Sequence, residues 1–198
     1  MSDSLVIIGS SGANLASLAF ALDRLGASAP VTEDPERISE ADRIILPGVG
    51  AAQDAMQRLI RAGLDSVIPN LTQPVLGICL GMQLLFSASD EDDADCLGVI
   101  HERVTRLPDV RDLPVPHMGW NEVEWDGESH LLDGLKSGGY AYFVHSYAVP
   151  IGPFTLASTD YGGVFSAVVQ QGNFYGTQFH PERSSAFGSR ILQNFLSI

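Results

Sequence analysis

The sequence predicts an α/β protein: an open, mostly parallel sheet flanked by helices, passing into a β-rich C-terminal half. Three observations predict it. Short apolar runs of strand length alternate with segments of helical periodicity through residues 5–87, the pattern of βαβ units. Beyond an acidic run at residues 89–95, strand-like segments recur with turn signals between them. The composition suits a buried core: 198 residues, 45% hydrophobic and 18% charged, which excludes a disordered chain and a highly charged coiled coil. No linker separates the halves, so one domain over residues 1–198 is expected.

The elements follow in order. Residues 5–8 (Leu-Val-Ile-Ile) are apolar throughout, as a buried strand requires. A Gly-Ser-Ser-Gly turn at residues 9–12 leads into a helix with Leu15, Leu18, Ala19, Leu22 and Leu25 at helical spacing, ended by Gly26. Residues 30–32 and 43–46 are the next strands, the second closed by Pro47-Gly48. Residues 51–62 form a helix with Met56, Leu59 and Ile60 on one face. Residues 74–78 are a fourth strand and residues 80–87 the helix after it. The acidic run is expected as a solvated loop. Strands are then expected at residues 99–106, 121–125, 140–147 and 154–157. Residues 165–170 and 174–179 form a hairpin about Gln171-Gly172-Asn173, and residues 184–196 close the chain as a helix burying Ile191, Leu192 and Phe195.

Charge narrows the partners. Acidic residues number 24 against 11 basic ones, a formal net charge of −13. A phosphate backbone or an anionic membrane surface would repel such a chain, so neither nucleic acid nor membrane is an expected partner. No apolar stretch reaches the roughly 18 residues of a membrane span. Residues 1–5 have neither the basic region nor the apolar core of a signal peptide, so a cytosolic location is expected. In that reducing compartment Cys79 and Cys96 do not suggest a disulfide framework.

Chemistry concentrates around Gly77-Ile78-Cys79-Leu80-Gly81-Met82-Gln83. A cysteine between a buried strand and a helix, with glycines two residues to either side, fits a nucleophile elbow: small neighbours let the backbone turn sharply and present the side chain. A helix N-terminus there would favour the thiolate, the nucleophilic form. A buried core cysteine fits the same spacing. Cys96 has no such context. Of His101, His117, His130, His145 and His180, the last stands out. It follows the last strand in Gln178-Phe179-His180-Pro181-Glu182, where in extended backbone Glu182 would project to the same side and could orient the imidazole. An exposed turn pair is the plainer alternative. Pro47-Gly48-Val49-Gly50 follows the third strand, and its glycines would let backbone amides approach a substrate as an oxyanion hole requires. No metal-binding spacing, nucleotide-binding glycine motif or P-loop occurs.

Taken together, Gly77-x-Cys79-x-Gly81-x-Gln83 and the distant His180-Pro181-Glu182 resemble the two signatures of the class I, triad-type glutamine amidotransferases, over nearly the whole chain. Leu46-Pro-Gly-Val-Gly50, Pro116-His-Met-Gly-Trp-Asn121, Phe143-Val-His-Ser-Tyr147 and Met82 are similar to the glutaminase branch of imidazole glycerol phosphate synthase. The resemblance implies Cys79 as nucleophile, His180 as base and Glu182 as its orienter. It implies an oxyanion hole from the Leu80 amide and an amide of Gly48, Val49 or Gly50. Gln83 and the backbone at Ser146 and Tyr147 would contact L-glutamine, and His145, Arg183 and Asn14 would lie toward a partner. Hydrolysis would proceed through a cysteine thioester, without metal or organic cofactor. The ammonia would pass to the cyclase subunit of a heterodimeric synthase. The chain departs from the branch's usual pattern at residues 9–13, Ala52, Ala148 and Arg183, largely on segments the resemblance places near that partner. A glutaminase subunit of the anthranilate synthase type, a peptidase or deglycase on a related scaffold, and a non-catalytic binding module stay open as alternatives.

Overall fold

A strand covered on both faces has no polar side, and Leu5–Ile8 (β1) is apolar and buried at every position. The computed structural model describes residues 4–9 and 15–198. Residues 10–12 of the turn expected at residues 9–12, and Asn14, lie outside the described residues. In chain order β1 is followed by Leu15–Arg24 (α1), Val31–Thr32 (β2), Pro35–Glu40 (α2), Arg43–Gly48 (β3), Ala52–Arg61 (α3), Val75–Cys79 (β4), Leu80–Gln83 (α4), Phe86–Ser89 (β5) and Ala94–Asp95 (β6). Then come Ile100–Arg106 (β7), His117–Val123 (β8), Gly139–His145 (β9), Tyr147–Ala148 (β10), Thr155–Asp160 (β11), Val164–Gln171 (β12), Phe174–Thr177 (β13) and Ser185–Phe195 (α5).

The main sheet has seven strands in the order β11-β12-β13-β4-β3-β1-β2. From β13 through β2 neighbours are parallel; β12 and β11 extend the sheet antiparallel. This is the mostly parallel sheet the sequence predicts. Side chains alternate between its faces with the strand period of two. Val6, Ile8, Ile44, Leu46 and Val75 pack with Ala55, Met56 and Leu59 of α3. Leu5, Ile7, Ile45, Leu76 and Ile78 pack with Leu22 of α1 and with Ile191, Leu192 and Phe195 of α5. The β-rich half also builds a four-stranded sheet, β10-β7-β5-β6, and a two-stranded ribbon, β8-β9. Among the described residues no helix is long and apolar enough to cross a membrane.

Two expectations are corrected and one unread element is added. The helix over residues 80–87 ends at Gln83, and Phe86 opens strand β5. Residues 80–86 are buried on every side, so no amphipathic stripe exists to separate helix from strand. Pro35–Glu40 is helical although no apolar period announces it; Asp34 accepts from the Glu36 amide at 3.0 Å, and Pro35 suits the first turn. The acidic run is not simply solvated. Arg103 pairs with Asp90 at 2.6 Å and with Asp93, while the Glu91 carboxylate turns inward and accepts the Ala52 amide at the start of α3 at 2.9 Å.

Candidate active site

Cys79 ends β4 with φ 54° and ψ −113°, outside the regions L-residues ordinarily occupy. Holding a non-glycine residue there costs roughly 1–3 kcal/mol, which the surrounding packing must offset. The two flanking glycines permit the close packing. A Cβ on Gly77 would meet the Met82 amide nitrogen at 2.7 Å, and one on Gly81 would meet the Leu46 carbonyl oxygen at 1.8 Å. This is the sharp strand-to-helix turn the spacing suggests. The helix after it is a single turn, however, so the local amides rather than a macrodipole are what the elbow offers an anion.

Strand pairing delivers the second half of the site. β13 runs parallel to β4 with Thr177 beside Ile78, so the chain leaving β13 emerges at the same C-terminal sheet edge as Cys79. His180 is tied down at its backbone: its amide donates to the Tyr142 carbonyl at 3.0 Å, and its carbonyl accepts from the Ser184 hydroxyl at 2.7 Å. Glu182 does not sit in extended backbone as the spacing suggests. It lies in a 3₁₀ turn, Pro181–Arg183, which brings its Oε1 to 2.8 Å from His180 Nδ1. Both side chains are at most 10% exposed. On its other side His180 lines the same cavity as Cys79. Burial alone would push the imidazole pKa down; the hydrogen bonds and charge of Cys79 and Glu182 outweigh it and push His180 up to about 10. At neutral pH the ring is an imidazolium between two partners. The structure thus brings Cys79, His180 and Glu182 together.

A cavity of about 350 Å³ opens on the sulfur. Val49, Gly50, Leu80, Gln83, Ser146 and Tyr147, all singled out in the sequence, line it with Cys79 and His180. Gly50 has φ +93°, which glycine adopts without strain. Gly48 stands behind the cavity, its Cα so close to Leu80 and Gly81 that a Cβ would lie 2.5 Å from the Gly81 amide nitrogen. Gln83 is more committed than expected. Its Nε2 donates to the Tyr147 carbonyl at 2.8 Å and to Gln178 Oε1 at 2.9 Å. Two residues of the site escaped sequence reasoning. Glu91 brings a carboxylate to the same cavity, hidden by its place in an acidic run. Gln178 is fully buried and donates from Nε2 to Cys79 Sγ at 3.8 Å. Its signal was a lone amide in the apolar approach to His180.

Residues 10–198 match the family Glutamine amidotransferase class-I. The chain belongs to that family. Relatives agree along the whole length. "Imidazole glycerol phosphate synthase subunit HisH" of Pasteurella multocida is 50% identical over 192 residues, covering 97% of this chain and 96% of that one. The protein of the same name from Vibrio cholerae is 45% identical over 204 residues, covering all of both. More distant solved structures share the fold. A crystal structure of a glutamine amidotransferase superposes with a TM-score of 0.74 at 20% identity, covering 98% of this chain and 97% of that one. The glutaminase domain of Trypanosoma brucei CTPS, with bound acivicin, gives 0.66 at 15% identity, covering 98% and 94%.

In this amidotransferase His145 is buried, and both its ring nitrogens are engaged inside the chain: Nδ1 lies 2.7 Å from the Tyr147 carbonyl and Nε2 3.0 Å from His117 Nδ1. Arg183 is exposed, its guanidinium 4.6 Å from the centre of the Tyr142 ring. Burial pushes His117 down to about 4 and His145 down to about 3, so both rings are neutral at pH 7. The unfolded chain takes up these protons near pH 6.5, before the folded one does. Stability from this pair is therefore full above that value and lost as pH falls toward 4 and 3. His180 has the opposite sign: its contribution is full below about 6.5 and lost as pH rises toward 10. Calorimetry of the amidotransferase across pH should show a melting temperature that declines on both sides of neutrality. His145→Gln should flatten the acid limb; an acid limb as steep as wild type would contradict the assignment.

Proposed function

We propose that this chain is the glutaminase subunit of an imidazole glycerol phosphate synthase. It hydrolyses L-glutamine to glutamate and ammonia and passes the ammonia to a cyclase subunit in a heterodimer. The single observation that carries the reading is the elbow cysteine facing the His180–Glu182 pair, in a chain similar from end to end to HisH subunits. The cytoplasm is the location this pathway reading implies.

The steps follow from the side chains. Glutamine enters the cavity with its ammonium toward Glu91 and its carboxylate toward the backbone at Ser146 and Tyr147. The Cys79 thiolate attacks the side-chain carboxamide carbon. The oxyanion that forms is met by the Leu80 amide and an amide of the Gly48–Gly50 loop. A donor of this kind is worth roughly 2.7–4 kcal/mol, so placement of that loop alone can set the rate over two to three orders of magnitude. His180, already protonated, gives its proton to the departing nitrogen, and the C–N bond breaks to leave ammonia and a γ-glutamyl thioester. Neutral His180 then takes a proton from water as the water attacks the thioester carbon. The C–S bond breaks to release glutamate and restore the thiolate–imidazolium pair. Glu182 holds the ring throughout and stabilises its charge.

The test is glutamate release by the chain with and without the cyclase subunit. Turnover of glutamine by the complex, coupled to imidazole glycerol phosphate formation, is the expected result; a complex that makes the product from ammonium salts but never from glutamine would sink the reading. Glu91→Gln sharpens the test. The amide keeps an acceptor for the Ala52 N–H but loses the charge. KM for glutamine should rise about tenfold or more, as for loss of a charge-assisted bond, with kcat changed less than about threefold.

A further inference from the structure

One backbone carbonyl orients a run of buried polar groups that ends on the Cys79 sulfur. The Tyr147 carbonyl can only accept, and two side chains converge on it: Gln83 Nε2 at 2.8 Å and His145 Nδ1 at 2.7 Å. Follow the Gln83 side first. With its nitrogen turned to Tyr147, Gln83 also donates to Gln178 at 2.9 Å, so Gln178 must present Oε1 there and Nε2 to Cys79 Sγ, 3.8 Å away. The histidine side is equally determined. His145 carries its proton on Nδ1, so Nε2 accepts from His117 Nδ1 at 3.0 Å. His117 Nε2 is then an acceptor facing the Asn121 amide nitrogen at 3.4 Å, and that nitrogen donates to the Asp160 carbonyl at 2.9 Å. Neither amide can flip and neither ring can change tautomer without leaving a buried group unpaired. His117 is clamped further, stacked 3.9 Å from Tyr161 and 4.9 Å from Phe143 between ring centres.

We propose that Gln178 is the donor that holds the Cys79 sulfur as a positioned thiolate, and that the His117–His145 pair aims it through the Tyr147 carbonyl. The proposal rests on Cys79 being the nucleophile of the reading above. It assigns Gln178 a contact with the reacting atom and makes His117 and His145 positioning residues. The Val144 carbonyl of β9, 3.9 Å from the sulfur, can accept only from the thiol form, so it offers the thiolate nothing; His180 is the charged partner. The neutral donor is Gln178. A neutral amide stabilises the thiolate without competing for the proton that His180 must deliver. The ribbon β8-β9 contributes His117 and His145, paired opposite each other in register, so its geometry is coupled to the nucleophile.

Alkylation of Cys79 by iodoacetamide, followed against pH by peptide mass, reads the sulfur without needing glutamine turnover. Cys96 does not interfere, since burial pushes its thiol up to about 11. The titrating groups that share the cavity with the sulfur are His180, Glu91, His145 and Tyr147, with Glu182 behind His180, and each is left in place. Gln178→Met keeps the volume and removes the donor. The pH of half-maximal alkylation should rise by about one unit, a tenfold loss of thiolate below it, and kcat for glutamine at pH 7 should fall about tenfold with KM within about twofold. His117→Leu should shift the same two readouts in the same direction by a smaller amount. His117→Asn, whose amide restores a donor to His145, should recover most of the loss. An alkylation profile and kcat unchanged in Gln178→Met would overturn the donor role. Equal losses in His117→Leu and His117→Asn, or none in either, would overturn the aiming role. If Gln178→Met does not fold, the His117 pair still decides whether the chain reaches the sulfur. Absence of any glutaminase activity in the wild-type complex would count against the function above, while the alkylation shifts would still read this contact.

Discussion

Cys79→Ala is expected to lower glutamine hydrolysis by the synthase complex by at least about 10⁴-fold, the scale of losing a covalent nucleophile. On the proposed function, synthesis from ammonium salts should stay within about threefold of wild type, because the partner's cyclase chemistry would not touch the sulfur. The substitution is a clean one. Alanine keeps the Cβ, so the φ of 54° at the elbow is neither relieved nor worsened. The pocket loses one sulfur atom and gains no clash. A second signature follows from the electrostatics. His180 is pushed up by Cys79 as well as by Glu182. Without the sulfur its titration should move down, which nuclear magnetic resonance of the imidazole can follow. Retained glutamate release in Cys79→Ala would remove the nucleophile assignment. Loss of both glutamine- and ammonia-dependent synthesis would show a damaged complex instead, and His180→Asn would then be the variant to assay.

What the sequence disclosed and what it withheld divide along a physical line. The alternation of apolar strands and amphipathic helices is local, so β1, α1, β3, α3, β4 and α5 were legible within a residue or two. So was the elbow, because its requirement for small neighbours at Gly77 and Gly81 is written beside Cys79 itself. His180 and Glu182 were legible as a pair for the wrong reason: they meet through a 3₁₀ turn rather than along a strand. Glu91, Gln178 and the His117–His145 contact were not legible. Each is polar, and a polar side chain turns inward only when a distant segment supplies its partner. Ala52 does so for Glu91 from 39 residues away, and Gln83 for Gln178 from 95. The helix expected over residues 80–87 failed for the complementary reason: burial of every residue from 80 to 86 erases the periodicity that distinguishes a helix from a strand.

Among the described glycines, Gly81→Ala should be the most damaging alanine substitution, and it replaces no catalytic candidate. The new Cβ would lie 1.8 Å from the Leu46 carbonyl oxygen, 2.8 Å from the Leu46 carbonyl carbon and 3.1 Å from that of Pro47. All three are backbone atoms of β3, so no rotamer change can make room. Either β3 retreats or the elbow unwinds. The expected cost is about 3 kcal/mol or more, the upper range for overpacking a core. For a chain of this size that corresponds to a melting temperature lower by roughly 6–12 °C. Gly63→Ala separates clash from backbone conformation. Its φ is +70° but no atom lies within 4 Å of the added Cβ, so only the left-handed backbone penalty applies, about 1 kcal/mol. The functional consequence should exceed the thermal one. β3 and β4 pair with Gly48 opposite Cys79, and the Gly48–Gly50 loop hangs from the end of β3. A strand that retreats carries that loop away from the cavity. Well below its melting temperature, Gly81→Ala should therefore retain less than about a tenth of wild-type kcat, in line with a lost oxyanion donor. Full kcat in the folded variant would show that the loop's position is not set by the Leu46–Gly81 contact.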